Sequence, residues 1–419
     1  MTAGHNPGPG GWPLWHMARR RLLLVPALAG VLTACLMGPV PVARADDARS
    51  QQWYLDAMQA EKMWKVSTGK GIKVAVVDTG VDSTTDSLRG QVLPGIDATG
   101  LPGEATDDYA GHGTTIAEYI VGTGRNGGLQ GLAPGAKVIP VRAVLDGFKE
   151  WEKTTKRSSD AIRAAADTDA QILNLSFAGM PFADTAEAVE YALSKGKLVF
   201  AGVGNDRKGD NLPSYPAGYP GVVGVAASDK EGEVGEFSQS GDYVDLSAPG
   251  VDIPVWCDEK LQSYCTDSGG TSMATAIASA SAALIWSKHP DWTANQVLRV
   301  LVDTAGRKDG KKDVASRYIG YGAVRPRIHL LEGEGDPGDP DKNPIEAVEL
   351  DASPPASPSP EGNDAKSGDK AGNDRVEKAS SEAAAEESDN DLWIYLGAGA
   401  AAAVVAVGAF VLVRRTRRT

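Results

Sequence analysis

An α/β fold is predicted, with a mostly parallel sheet covered by helices on both faces, a disordered stalk behind it and one transmembrane helix at the end. Three features of the sequence predict it. Between residues 46 and 330, apolar runs without polar alternation recur between helical stretches. Strands buried on both faces read this way, and parallel strands need helical crossovers. Residues 331–391 hold 18 acidic and 5 basic residues and no aromatic one, a net of −13 that equals the charge of the whole 419-residue chain. Residues 392–413 then run for 22 positions without a charge, enough to cross a hydrocarbon core of about 30 Å as a helix.

Arg19-Arg20-Arg21, an apolar run over 22–40 and Ala43-Arg44-Ala45 make residues 1–45 a secretory signal cut after Ala45. An uncleaved anchor is the alternative, and Leu32-Thr33-Ala34-Cys35 also resembles a bacterial lipoprotein box. Under each reading the chain is exported. The domain itself spans 46–330, with strands expected at 72–77, 137–141, 172–175, 198–201 and 222–225. Helices are expected at 160–167, 185–195 and 274–288. Residues 331–391 bury too little apolar surface to offset ordering and repel themselves, which makes a stalk. Arg414, Arg415, Arg417 and Arg418 follow the apolar segment 392–413 at once. Positive residues stay cytoplasmic, so the tail 414–419 is expected inside. The chain is then a single-pass protein of the cell membrane with its folded domain outside.

A hydrophobic fraction of 42% excludes wholesale disorder. Because the net charge sits in the stalk, the domain has no basic footprint, and nucleic acid is excluded as a partner. Loss of the signal removes Cys35 and leaves Cys257 and Cys265, eight residues apart. An even pair in an exported chain reads as a disulfide. The neighbourhood has too few ligands for a metal, and the spacing is too wide for a redox Cys-x-x-Cys.

Histidine is scarce, with five in the chain. His5 and His16 lie in the leader, His289 precedes a proline at a helix end, and His329 stands at the domain edge. His112, between Gly111 and Gly113 and running into an apolar stretch at 116–122, is the candidate base. Asp78 ends a buried strand, where a carboxylate is expensive unless bonded or working. Ser272 precedes a small-residue helix whose N-terminus favours a developing anion. Each alone has an ordinary alternative, a cap or a loop residue. Together, in the order Asp, His, Ser, they supply an orienting acid, a base and a nucleophile. Asn205, after the glycine-flanked run Val199-Phe200-Ala201-Gly202-Val203-Gly204, adds an amide able to donate to an oxyanion.

These motifs, Val77-Asp78-Thr79-Gly80, Gly111-His112-Gly113-Thr114, Gly204-Asn205 and Gly270-Thr271-Ser272-Met273-Ala274, resemble those of subtilisin-type serine proteases. Gly131-Leu132-Ala133-Pro134-Gly135-Ala136, Asn174-Leu175-Ser176, Ser214-Tyr215-Pro216-Ala217 and Ser247-Ala248-Pro249-Gly250 extend the resemblance over most of 50–330. The layout, with Gln51-Gln52-Trp53-Tyr54-Leu55 after the signal, is similar to that of mycosins, the membrane-anchored subtilases of actinobacterial type VII secretion. The resemblance implies a subtilisin-like fold and Asp78, His112 and Ser272 as triad, with Asn205 at the oxyanion. It implies that Ser176, Phe177, Ala178 and Gly179 pair with an extended substrate and that Ser214 lines the adjoining pocket. Phe177 and Ser214 are bulkier than the Leu and Gly common there, so small or medium side chains are expected before the cut. No cofactor and no metal is expected, and Asp82 and Asp86 make no clean calcium set.

Three departures stand out. Only 32 residues separate Ala45 from Asp78, short for a folded prodomain. Ala276 replaces a common proline, and Thr115 and Glu118 replace a common His and Gly. The leading expectation is a membrane-tethered extracellular endopeptidase acting on proteins or peptides at a type VII secretion complex. A general cell-surface subtilase and a non-catalytic scaffold are the alternatives. Activity is expected to fall as His112 becomes protonated, near or below about pH 6.5.

Overall fold

The computed structural model describes residues 48–351 apart from 146–147, 258, 266–267, 311–313 and 346–349. Seven strands, β1 (Lys73–Asp78), β2 (Ile96–Asp97), β3 (Lys137–Arg142), β4 (Ile172–Leu175), β5 (Leu198–Gly202), β6 (Val223–Ser228) and β7 (Leu246–Pro249), form one sheet. Their order is β2-β3-β1-β4-β5-β6-β7, and all neighbours are parallel. The apolar runs behave as their lack of alternation requires. Val74 and Val76 enter one core while Ala75 and Val77 enter the other, and β5 divides likewise between Phe200 and Val199.

Helices α1 (Trp53–Ala57), α2 (Ala60–Met63) and α3 (His112–Val121) pack into the first core, and α4 (Ser158–Ala166) and α5 (Ala183–Ser194) into the second. The first core also takes α6 (Thr271–Lys288) and α7 (Ala294–Asp303). In α4, Ala161, Ile162, Ala165 and Ala166 are buried, the three-and-four spacing of one apolar face. In α6, every residue from Thr271 to Trp286 is buried except Ser272. A helix that is apolar on all sides belongs inside, and its Ala and Ser residues let it lie close to the sheet. The chain leaves β1 toward β2 and β3, then crosses to β4 on the other side. The winding therefore reverses at β1, and the crevice at the carboxyl ends of the strands opens there.

The expected strands are present to within three residues at their ends. Strands β2 and β7 were not expected, the first because two residues make no apolar run. Helix α7 was also missed, although its capping box is local: Gln296 Oε1 accepts from the Thr293 N–H at 3.1 Å. A short antiparallel hairpin, β8 (Val255–Trp256) with β9 (Tyr264–Cys265), is closed by the Cys257–Cys265 disulfide, Cα to Cα 5.1 Å.

The boundary expected at residue 330 needs correction, because packing continues beyond it. Leu331 and Ile345 lie against the first core. The Pro340 carbonyl accepts from Thr293 Oγ1 and Asn295 Nδ2, both at 3.0 Å. Strand β10 (Ala315–Ser316) pairs in parallel with β11 (Leu350–Asp351). The polar N-terminal turn of α7 thus finds its acceptors in residues taken above as stalk. The expected signal at 1–45, the rest of the stalk, the apolar segment 392–413 and the tail 414–419 lie outside the described residues. Among the described residues, no helix is long and apolar enough to cross a membrane.

Candidate active site

Asp78 is the last residue of β1 and fully buried, and His112 is the first residue of α3. His112 Nδ1 lies 2.7 Å from Asp78 Oδ1, which also accepts the Thr79 N–H at 2.8 Å. A carboxylate accepts only, so the neutral imidazole keeps its proton on Nδ1 and leaves Nε2 free to act as a base. A brace holds the pair. Thr79 Oγ1 donates to Asp108 Oδ1 at 2.7 Å and accepts the Gly113 N–H at 3.0 Å. Asp108 also takes the N–H groups of Gly111 at 2.8 Å and Thr114 at 2.9 Å. Gly113 is required here, since a Cβ would come within 2.1 Å of the Gly80 carbonyl oxygen.

Burial opposes the charged form of His112. The charge of Asp78, its hydrogen bond to the ring and the charge of Asp108 outweigh that, and the histidine is held above its ordinary value.

Ser272 is the second residue of α6. Its hydroxyl donates to the Ser176 carbonyl at 3.1 Å, and the Ser176 hydroxyl donates to the Ser272 carbonyl at 3.0 Å. Asn174 Nδ2 supports Ser176 Oγ at 2.8 Å, and Ser279 of α6 donates to Asn174 Oδ1 at 3.0 Å. Val77 pairs with Leu175 across β1 and β4, so Asp78 and Ser176 are neighbours at the sheet edge. Ser272, bonded to Ser176, therefore stands at the same strand end as Asp78. Its hydroxyl is bonded to Ser176, and a base role for His112 requires it to engage Nε2. Such bonds commonly tighten only with substrate present.

Asn205 is exposed, and its Oδ1 accepts the Thr271 N–H at 3.0 Å and Thr271 Oγ1 at 3.1 Å. A backbone N–H can only donate, so the oxygen is identified and the amide NH₂ is the group left to donate. The first N–H groups of α6 lack partners within the helix, and the Ser272 N–H is one of them. The arrangement offers a base, a hydroxyl and two donors at one strand-end crevice.

A model of the subtilase family (Peptidase_S8) matches residues 69–322, which hold all of these groups. The chain belongs to the subtilase family. It is 32% identical over 301 residues to the minor extracellular protease Epr of Bacillus subtilis (strain 168), covering 67% of this chain and 42% of Epr. To thermitase of Thermoactinomyces vulgaris it is 34% identical over 266 residues, 62% of this chain and 90% of thermitase. The chain thus spans less than half the length of Epr and nearly all of thermitase. Among solved structures it is similar to that of a serine protease, MycP1, described as an essential component of the type VII (ESX-1) secretion system. The TM-score is 0.56 at 29% identity, over 70% of this chain and 90% of that one. The family is one of serine proteases, and this structural neighbour is of the mycosin type.

In the subtilase, of the residues expected to line the substrate cleft, Ser176 bonds Ser272 directly. Phe177 packs against the second core, Ala178 and Gly179 are exposed, and the Gly179 carbonyl accepts the Tyr215 N–H at 3.0 Å. Ser214 is buried and donates to Gln239 Oε1 at 3.1 Å. Gly204, at φ +100°, has no room for a Cβ, which would fall 1.8 Å from that same oxygen. Gln239 and the Thr79–Asp108 brace were not foreseen. Asp108 had a signal, an acidic residue just before a helix start. Gln239 had none, since only the fold brings it to Ser214. His289 and His329 bond each other through Nε2 at 2.8 Å, with Trp292 stacked on His289. Among the described residues no three His, Cys, Asp or Glu are grouped to hold a metal ion.

Proposed function

We propose that the subtilase is a serine endopeptidase that works through Asp78, His112 and Ser272. The observation that carries this is the 2.7 Å bond from His112 Nδ1 to buried Asp78 beside a serine at the N-terminus of α6. Ser272 Oγ attacks the scissile carbonyl while His112 Nε2 takes its proton. His112 then gives that proton to the leaving amine, and Asp78 stabilises the imidazolium between the two steps. The Asn205 NH₂ and the Ser272 N–H receive the oxyanion. Water repeats the cycle on the acyl-enzyme. Fluorophosphonate labelling of the full chain, with Ser272→Ala beside it, tests the assignment. Labelling of the unaltered chain alone supports it, and absence of labelling on folded chain refutes it.

Asn205→Ala is expected to lower kcat by about 10² to 10³, the loss typical of one oxyanion donor. A change in KM alone would remove Asn205 from that role. The pH dependence follows from the raised pKa of His112. The base works neutral, so activity falls as pH drops through a value above the ordinary histidine pKa of about 6.5. This moves the limb upward from the position expected from sequence. A midpoint of kcat/KM below about 6.5 would contradict it.

The finer reading is a membrane-tethered protease processing exported proteins at a type VII secretion complex. Its support is the similarity to MycP1 and the signal, stalk and apolar segment in the sequence. Secretion that survives Ser272→Ala but not deletion of the chain would favour a scaffold instead.

A further inference from the structure

Helix α3 carries a second ionisable side chain. Glu118, six residues beyond His112, is fully buried. Thr85 Oγ1 donates to its Oε1 at 2.8 Å, and the Trp256 indole N–H and Tyr264 hydroxyl both donate to Oε2 at 3.0 Å. Trp256 and Tyr264 are cross-strand partners in the β8–β9 hairpin, their rings stacked with centroids 3.8 Å apart. The Cys257–Cys265 bond closes that hairpin. Tyr119, the next residue of α3, donates to the Pro254 carbonyl at 2.6 Å, just before β8. Six residues after Cys265 the chain enters α6, whose second residue is Ser272.

We propose that Glu118 is a positioning residue: its carboxylate, gripped by Trp256 and Tyr264, locks the helix that carries His112 to the disulfide-closed hairpin that leads into Ser272. The inference rests on the roles assigned above to His112 and Ser272. Three donors converge on the carboxyl, which suits the ionised, acceptor-only form. Once protonated, the group has a proton of its own to place, and the Thr85 or Tyr264 hydroxyl must turn from donor to acceptor to keep its contact. The charged and titratable groups facing it are Asp82, Tyr119 and Tyr264, none of them a cation. Burial therefore dominates and raises its pKa to about 7 against the pull of the three hydrogen bonds, with Asp82 adding to the rise. The gripped form is thus filled as pH rises through about 7. The sign for stability is opposite. A carboxyl whose pKa is raised on folding loses stability as pH climbs from its ordinary value to the raised one. Removing the charge should not weaken the fold at pH 8.

The test follows kcat against pH in the full chain. With both groups required in their deprotonated forms, the acid limb falls with two protons. In Glu118→Gln it falls with one, and kcat drops about 10- to 100-fold, as for small misplacements of a catalytic group. The melting temperature at pH 8 is not lowered. Tyr264→Phe removes one bond to the carboxylate and moves the second ionisation to higher pH, which carries the test if Glu118→Gln does not fold. A one-proton limb in the unaltered chain, or a limb unmoved in Tyr264→Phe, overturns the proposal. The indole N–H resonance of Trp256, assigned by its loss in Trp256→Phe, reads the ionisation without catalysis. It should titrate near pH 7 in the unaltered chain and stay flat in Glu118→Gln. A flat resonance in the unaltered chain overturns the inference, whereas a Ser272 inert at every pH overturns the proposed function instead.

Discussion

Replacing Ser272 by alanine is expected to lower turnover of a peptide substrate by roughly 10⁶-fold, the scale of loss when a subtilisin-type nucleophile is removed. The physical argument is that the other groups have nothing to activate. In the proposed mechanism His112 and Asp78 move one proton, and without Oγ that proton has no source on the enzyme. The residual rate, roughly 10³ above water, comes from Asn205, the Ser272 N–H and binding alone. Stability should change little. The side chain is half-buried, and what is lost is one bond to the Ser176 carbonyl at 3.1 Å. Steady-state kinetics on a cleavable peptide, beside a melting curve, decide the matter. A loss below about 100-fold with an intact melt would show that Ser272 is not the nucleophile.

Asp78→Asn is expected to lower kcat by about 10⁴. The exchange keeps the volume of a fully buried side chain, so packing is spared. What changes is the partner offered to His112 Nδ1, now 2.7 Å from a carboxylate oxygen that also holds the Thr79 N–H. An asparagine whose NH₂ takes the place of that oxygen meets the ring with a donor. The imidazole proton then moves to Nε2, and the base loses the lone pair it needs. The charge that supports the imidazolium is lost as well. His112 is raised against the opposition of its own burial, chiefly by Asp78, so its pKa should fall in the variant. The remaining activity should therefore show an acid limb at lower pH than in the unaltered chain. A variant that loses less than about tenfold, with the limb unmoved, would mean that Asp78 does not orient the base.

The candidate site was legible because each of its residues stands where a strand ends or a helix begins. Asp78 follows Val74-Ala75-Val76-Val77, and His112 and Ser272 open helices whose apolar or small-residue character is local. Gly113 and Gly204 were visible as glycines, but the reason for them is tertiary: one approaches the Gly80 carbonyl and the other Gln239. Glu118 was visible only as a departure from a family pattern. Its partners Trp256 and Tyr264 stand 138 and 146 residues away in the chain.

The sequence by itself determined five of the seven strands of the sheet, their burial on both faces, and the candidate residues at the strand and helix ends. Apolar runs, glycines and helix starts act within a few residues, so they can be read without the fold. The tertiary structure alone decided the rest. It decided which end of the Asn205 amide is already occupied, that Ser272 rests on Ser176, that the domain runs past residue 330, and that a buried carboxylate joins α3 to the disulfide hairpin. Those are hydrogen bonds between distant parts of the chain. Their existence depends on where the packed sheet and helices bring each donor and acceptor, which no local pattern encodes.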